Sequence, residues 1–227
     1  MTLLEVVQYA RLVFAGMLVF VIGYQLWIAR VRRTEPILYL VAACAGAALL
    51  MVIGRTVQHA TIDPTMVLLG SKIYHTGVLA LVPLGFALAH EVRGVPRGRS
   101  FWIFATIGSI PIPFVWIGHL IISDRVRLFQ TINGPILGPE PAPLAPTVLP
   151  YLVMVGLYLA YVARQGRPKL PWHQRISLNV AFFALLPALA NDVLLYSGAL
   201  MTLEIVGLAM FLHVLAINVG VFGRAGE

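Results

Sequence analysis

Hydrophobic positions along the chain gather into seven long runs, at 7–29, 36–57, 66–90, 101–121, 147–163, 177–198 and 201–222. Each run is near the ~20 apolar residues that carry a helix across a bilayer core about 30 Å thick, at a rise of about 1.5 Å per residue. The stretches between them are short and polar, with one exception at 122–146. The pattern predicts an all-α fold, a single polytopic seven-transmembrane helix bundle over residues 1–227. No internal repeat, low-complexity tract or separate polar domain interrupts it.

Composition makes the lipid assignment firmer. The chain is 59% hydrophobic and 11% charged, with mean hydropathy +0.88, whereas a soluble domain carries about 25% charged residues. One soluble core cannot hide this much apolar surface, so lipid is the expected solvent for most of it. The opening Met1-Thr2-Leu3-Leu4-Glu5 lacks the basic start of a secretory signal, and the first run stops at Arg30, Arg32 and Arg33. An uncleaved first helix is expected.

The net charge of +7 would point to nucleic acid in a soluble protein; here it reads as topology, and no nucleic-acid partner is expected. Most basic residues lie in alternate connections or at the tail: Arg30, Arg32 and Arg33; Arg93, Arg97 and Arg99; Arg164, Arg167, Lys169 and Arg175; then Arg224. The positive-inside rule puts those segments in the cytoplasm and the N-terminus outside. Cys44 is the one cysteine and lies in an apolar run, so no intrachain disulfide forms.

The exceptional connection, 122–146, falls on the outer side. Its first part, 126–132, is expected to pair as a short strand into an Asn133-Gly134 turn. Its second part is proline-rich and expected to be extended. A loop of this length in a compact fold is read as a lid over the outer face. Pro83, Pro111, Pro113 and Pro187 sit inside apolar runs and are expected to kink the third, fourth and sixth helices.

Ionisable side chains inside hydrocarbon are costly and call for partners. The outer halves of the runs hold Arg11, Arg55, Lys72, His75, His119, Asp192 and Glu204. Lys72 and His75 share a helix face, as do Asp192 and Tyr196. Asp192 lies about 10 Å below the outer end of its helix, so Arg55 or Lys72 is its expected partner. Two readings stay open: an ion-pair network that fixes helix positions, or an outward-facing polar site for a small ligand. The site would be lined by Arg55, Lys72, His75, Asp192, Tyr196 and Glu204, and its excess of cations would favour an anionic or carbonyl-bearing molecule.

Histidines add a rival. Membrane cytochromes hold haem b between paired histidines, and His75, His119 and His213 lie in apolar runs as candidate ligands, with His59 and His90 at helix ends. No same-helix spacing marks such a pair, so the expected cofactor is none, with haem b as the alternative. No metalloprotease, nucleophile-elbow or phosphate-loop motif is present, and no catalytic activity is expected. His90, Glu91 and Arg93 read as an interfacial charge cluster open to a cytoplasmic partner.

The stretch Ser71-Lys72-Ile73-Tyr74-His75-Thr76-Gly77-Val78, followed by Leu81-Val82-Pro83-Leu84-Gly85-Phe86-Ala87-Leu88, resembles the third helix of the N-terminal seven-transmembrane sensor region of bacterial histidine kinases. Leu185 to Gly198, with Pro187, Asn191 and Asp192, is similar to that family's sixth helix, and the resemblance covers nearly the whole chain. It implies a receptor-like sensor in the bacterial cytoplasmic (inner) membrane whose last helix passes a signal onward. The outer loop lacks the family's aromatic and histidine pattern. The chain ends at Glu227 with no output domain, so signalling through a separate membrane or cytoplasmic protein is expected. Movement of the last two helices would be felt near Arg224. The alternative is a non-catalytic structural or redox subunit of a membrane complex contacting haem, quinone or pigment.

Overall fold

The computed structural model describes residues 3–32, 36–131 and 134–165. They form α1 (Leu3–Arg32), α2 (Pro36–His59), α3 (Pro64–Arg93), α4 (Arg99–Ser109), α5 (Pro111–Phe114), β1 (Ile122–Thr131), β2 (Gly134–Pro141) and, after a short 3₁₀ turn, α6 (Val148–Gln165). The chain is mostly helical, and α1, α2 and α3 are long and apolar enough to cross a membrane. The apolar runs at 177–198 and 201–222, with Pro187, Asp192, Tyr196, Glu204 and His213, lie outside the described residues.

The three long helices begin where the sequence supplies a start and extend past the apolar runs into polar flanks. α3 opens with Pro64 at its first position, where a missing N–H costs nothing, and Asp63 caps it by accepting from the Thr65 N–H at 3.0 Å. It ends at Gly94, whose φ of 62° is the left-handed conformation that closes a helix at least cost in glycine. Pro83 lies inside α3, which runs helical through it.

α2 and α3 form an antiparallel hairpin in close backbone contact. A Cβ on Gly54 would collide with the Tyr74 backbone nitrogen, and one on Gly70 would lie 2.5 Å from the Gln58 nitrogen. These glycines let the two helices touch, as small residues do in membranes where lipid gives no hydrophobic push. Around this seam Leu18 of α1, Ala45, Ala48, Met51 and Val52 of α2, and Tyr74 of α3 make one buried cluster. Nearer the opposite end, Phe86 of α3, Phe101 of α4, and Tyr158 and Val162 of α6 make another.

The fourth apolar run does not form a helix over 101–121. α4 stops at Ser109 because Pro111 and Pro113 lack the N–H that a continuing helix would donate, while Ile110 between them and α4 keeps helical dihedrals. After the single turn of α5 the chain leaves helix altogether, with Gly118 (φ 77°) and His119 (φ 51°) both left-handed. His119 is therefore a turn residue.

Within this mostly helical structure, 122–141 form an antiparallel ribbon. The strand is longer than 126–132, and the proline-rich half is its partner: Leu128 faces Leu137, Phe129 faces Ile136 and Thr131 faces Gly134. Gly134 opens β2 where the sequence placed it in a turn. Prolines are tolerated because Pro135 and Pro139 stand opposite Gln130 and Val126, in the register whose backbone groups point away from β1. Phe129 and Ile136 are buried together on the inner side of the ribbon, while Leu128 is exposed.

Candidate functional site

The chemistry-bearing side chains collect at two levels, one at the hairpin end of the helices and one at the arginine-rich end. At the hairpin end, the last turns of α2 meet the first turns of α1 and α3. Gln8 of α1 donates through Nε2 to the His59 carbonyl oxygen at 3.1 Å, and an Arg11 guanidinium nitrogen lies 3.1 Å from His59 Nδ1. Arg11 donates, since guanidinium has no acceptor, so His59 holds its lone pair on Nδ1.

Arg55 donates to Gln58 Oε1 at 3.0 Å. Its guanidinium carbon stands 3.9 Å from the centre of the Tyr74 ring. Arg11, Arg55 and Gln58 are 3%, 4% and 1% exposed. Gln58 uses its other end on the ribbon, Nε2 donating to the Leu137 carbonyl at 3.4 Å. The ribbon thus stands directly on the polar layer, with Gly138 set against the Phe129 ring and near Gln58 Nε2.

Lys72 takes a different side of α3. Two residues along a helix is a turn of about 200°, so Lys72 points away from the face that carries Tyr74. Its ammonium lies 6.0 Å from the centre of the Trp116 ring, and Trp116 Nε1 donates to Thr76 Oγ1 at 2.9 Å. Lys72 and His75 are half-buried. His75 sits beside them, with Nδ1 2.8 Å from the Ser71 carbonyl; a carbonyl only accepts, so the ring proton is on Nδ1.

Of the six predicted site residues, Arg55, Lys72 and His75 fall at this end of the structure, with Arg55 on one side of α3 and Lys72 on the other. Asp192, Tyr196 and Glu204 lie outside the described residues. Gln8, Gln58 and Tyr74 were not named as site residues from the sequence, and His59 was noted only as a histidine at a helix end. Gln58 and His59 had a signal, two polar residues closing an apolar run; Tyr74 had one in its two-residue offset from Lys72.

At the arginine-rich end the expected His90–Glu91–Arg93 surface cluster is corrected. Glu91 pairs with Arg97 at 3.4 Å, and Arg93 is half-buried like Glu91. His90 turns inward and is 2% exposed, with Nδ1 3.1 Å from the Val95 carbonyl and Nε2 2.9 Å from the Tyr158 hydroxyl. The carbonyl requires a donor at Nδ1, so in the neutral ring Nε2 accepts from Tyr158. Phe101 and Phe104 pack on this pair.

Among the described residues no group of three or more His, Cys, Asp or Glu side chains is placed to hold a metal ion. Comparison of the chain with protein-family models, curated protein sequences and solved structures returned no match in any of the three.

Proposed function

We propose that the chain is a receptor-like, non-catalytic membrane protein. Its hairpin end faces outward and receives a small anionic or carbonyl-bearing molecule. The observation that carries this reading is the buried layer of Arg11, Arg55 and His59 beneath a ribbon tied down by Gln58, with Lys72 and His75 at the same end on the other side of α3. Cations at such depth are costly and tend to mark function. Arg55 is committed to Tyr74 and Gln58, so Lys72, half-buried against Trp116, is the cation that meets an incoming ligand.

In this proposal the chain crosses a bacterial inner membrane seven times, with the N-terminus outside. Asp192, Tyr196 and Glu204 complete the site, and the last two helices pass its occupancy to a separate protein near Arg224. The basic connections and the resemblance to histidine-kinase sensor regions support that topology. Titration of the detergent-purified chain with a panel of small carboxylates and phosphates, followed by calorimetry, tests it. Saturable heat lost in Lys72→Ala and Asp192→Asn is expected. No heat from any member, or equal heat in both variants, sinks the proposal.

A redox subunit is the second reading, favoured by His75 alone. Its Nδ1 proton rests on the Ser71 carbonyl, which puts the lone pair on Nε2 as in a metal-ligating histidine. An absorbance spectrum decides it: a Soret band lost in His75→Ala would replace the receptor reading.

A further inference from the structure

The two edges of the ribbon are unlike. Pro135 and Pro139 cannot donate, so their pairs with Gln130 and Val126 are the non-hydrogen-bonded ones. It follows that Pro135, Leu137 and Pro139 turn their backbone groups outward from β2, and the Leu137 carbonyl, taken by Gln58, agrees. That edge is closed by prolines and by α2. By the same alternation, Val126, Leu128 and Gln130 turn their N–H and C=O groups outward from β1, and none of them is proline.

Among the described residues β1 pairs with β2 alone. Arg125, Arg127, Leu128 and Gln130 are exposed, Leu128 at 57%. An edge without proline or a further paired strand is a template for one more strand. The side chains say which strand. Arg127 lies 4.5 Å from the Phe129 ring centre and shares its face, and Arg125 is exposed just before the regular ladder begins at Val126. Val126 and Leu128 present apolar surface on the other face. Asp124 precedes the regular ladder, at the irregularity between Ile122 and Val126.

We infer that the outer edge of β1 is a docking site for an extended segment of a partner protein, one that alternates acidic and apolar residues. Backbone groups of the segment pair with Val126, Leu128 and Gln130. Its acidic side chains meet Arg125 and Arg127, and its apolar ones cover Leu128. A second copy of this chain paired antiparallel about 126 or 127 would set arginine against arginine; pairing about 128 would not, and sedimentation distinguishes that occupant. The site is separate from the polar layer beneath the ribbon, and does not depend on it.

The test uses the full chain in detergent and two dye-labelled eight-residue peptides, one alternating Glu and Val, the other alternating Lys and Val. Leu128→Pro deletes an outward N–H while leaving the β1–β2 ladder intact, since Leu128 stands at a non-hydrogen-bonded pair. Leu128→Ala keeps that N–H. Protected amides at Arg127 and Phe129 report that the ribbon survives in each variant.

The Glu peptide is expected to bind the wild type and Leu128→Ala, and to lose about tenfold or more in affinity on Leu128→Pro, as for a lost backbone hydrogen bond with its neighbours. Arg127→Glu is expected to transfer the preference to the Lys peptide. The inference is overturned if the Glu peptide fails to bind, or binds Leu128→Pro as well as wild type with the ribbon intact. It is equally overturned if sedimentation shows a dimer that Leu128→Pro disperses, which would make a second copy the occupant.

Discussion

The Arg55 guanidinium lies over the Tyr74 ring at 3.9 Å, and Tyr74 is wholly buried. A cation held against an aromatic face out of water is worth about 2 kcal/mol. The pair bridges α2 and α3 at the glycine seam, where Gly54 leaves room for the Tyr74 backbone. Tyr74→Leu is expected to cost about 2 kcal/mol or more, and Tyr74→Phe, which keeps the ring, less than half that. Unfolding of the purified chain in mixed micelles measures both. Equal losses would mean that the ring face contributes nothing.

The seam itself makes a second prediction. Gly54→Ala forces the helices apart, because its Cβ would meet backbone, which cannot rotate away as a side chain can. A loss of about 1–3 kcal/mol is expected. Gly46→Ala, in the same helix with nothing within 4 Å of the added carbon, is expected to stay within about 0.5 kcal/mol of wild type. The same unfolding assay compares them.

At the opposite end, Tyr158→Phe strips His90 Nε2 of its donor in a buried setting. The expected loss is about 1–3 kcal/mol, the desolvation cost of a buried acceptor left without its hydrogen bond. A double-mutant cycle with His90→Leu should return a coupling above about 0.5 kcal/mol. Additive losses would show that the two side chains contribute separately through packing.

Gln58 fastens the ribbon to α2. Gln58→Ala is expected to speed hydrogen exchange at Ile136 and Gly138 while leaving the amides of α2 and α3 protected, because only the tie is lost. Exchange unchanged in the ribbon would mean that Phe129 and Ile136 hold it without help.

The three long helices were legible because one signal, apolar length, suffices for a membrane span. They exceed the runs 7–29, 36–57 and 66–90 at their ends, since backbone hydrogen bonding continues into polar flanks that hydropathy does not count. The ribbon was half legible. The Asn133-Gly134 turn signal showed one strand, over 126–132, while the prolines of its partner disguised a strand whose proline positions all face an edge. Helix four misled because the apolar run continues past Pro111 and Pro113, and hydrophobicity alone does not see a missing donor.

Site residues were legible by type and less so by arrangement. Arg55 and Lys72 are both cations at one end, yet α3 separates them, as the spacing from Lys72 to Tyr74 implies once Tyr74 is known to face α2. His90 was misread because its neighbours Glu91 and Arg93 are charged, whereas its partner Tyr158 is 68 residues away. No local pattern carries a pairing of that separation.

The central claim is that the hairpin end holds a small anionic or carbonyl-bearing molecule, and native mass spectrometry of the full chain released from mild detergent tests it most directly. Wild type, Lys72→Ala and Asp192→Asn are compared after incubation with the same panel of carboxylates and phosphates. The account predicts one retained small molecule on the wild type and none on the two variants, with all three equally folded. A wild type that stays bare throughout, or one molecule retained equally by all three, would contradict it.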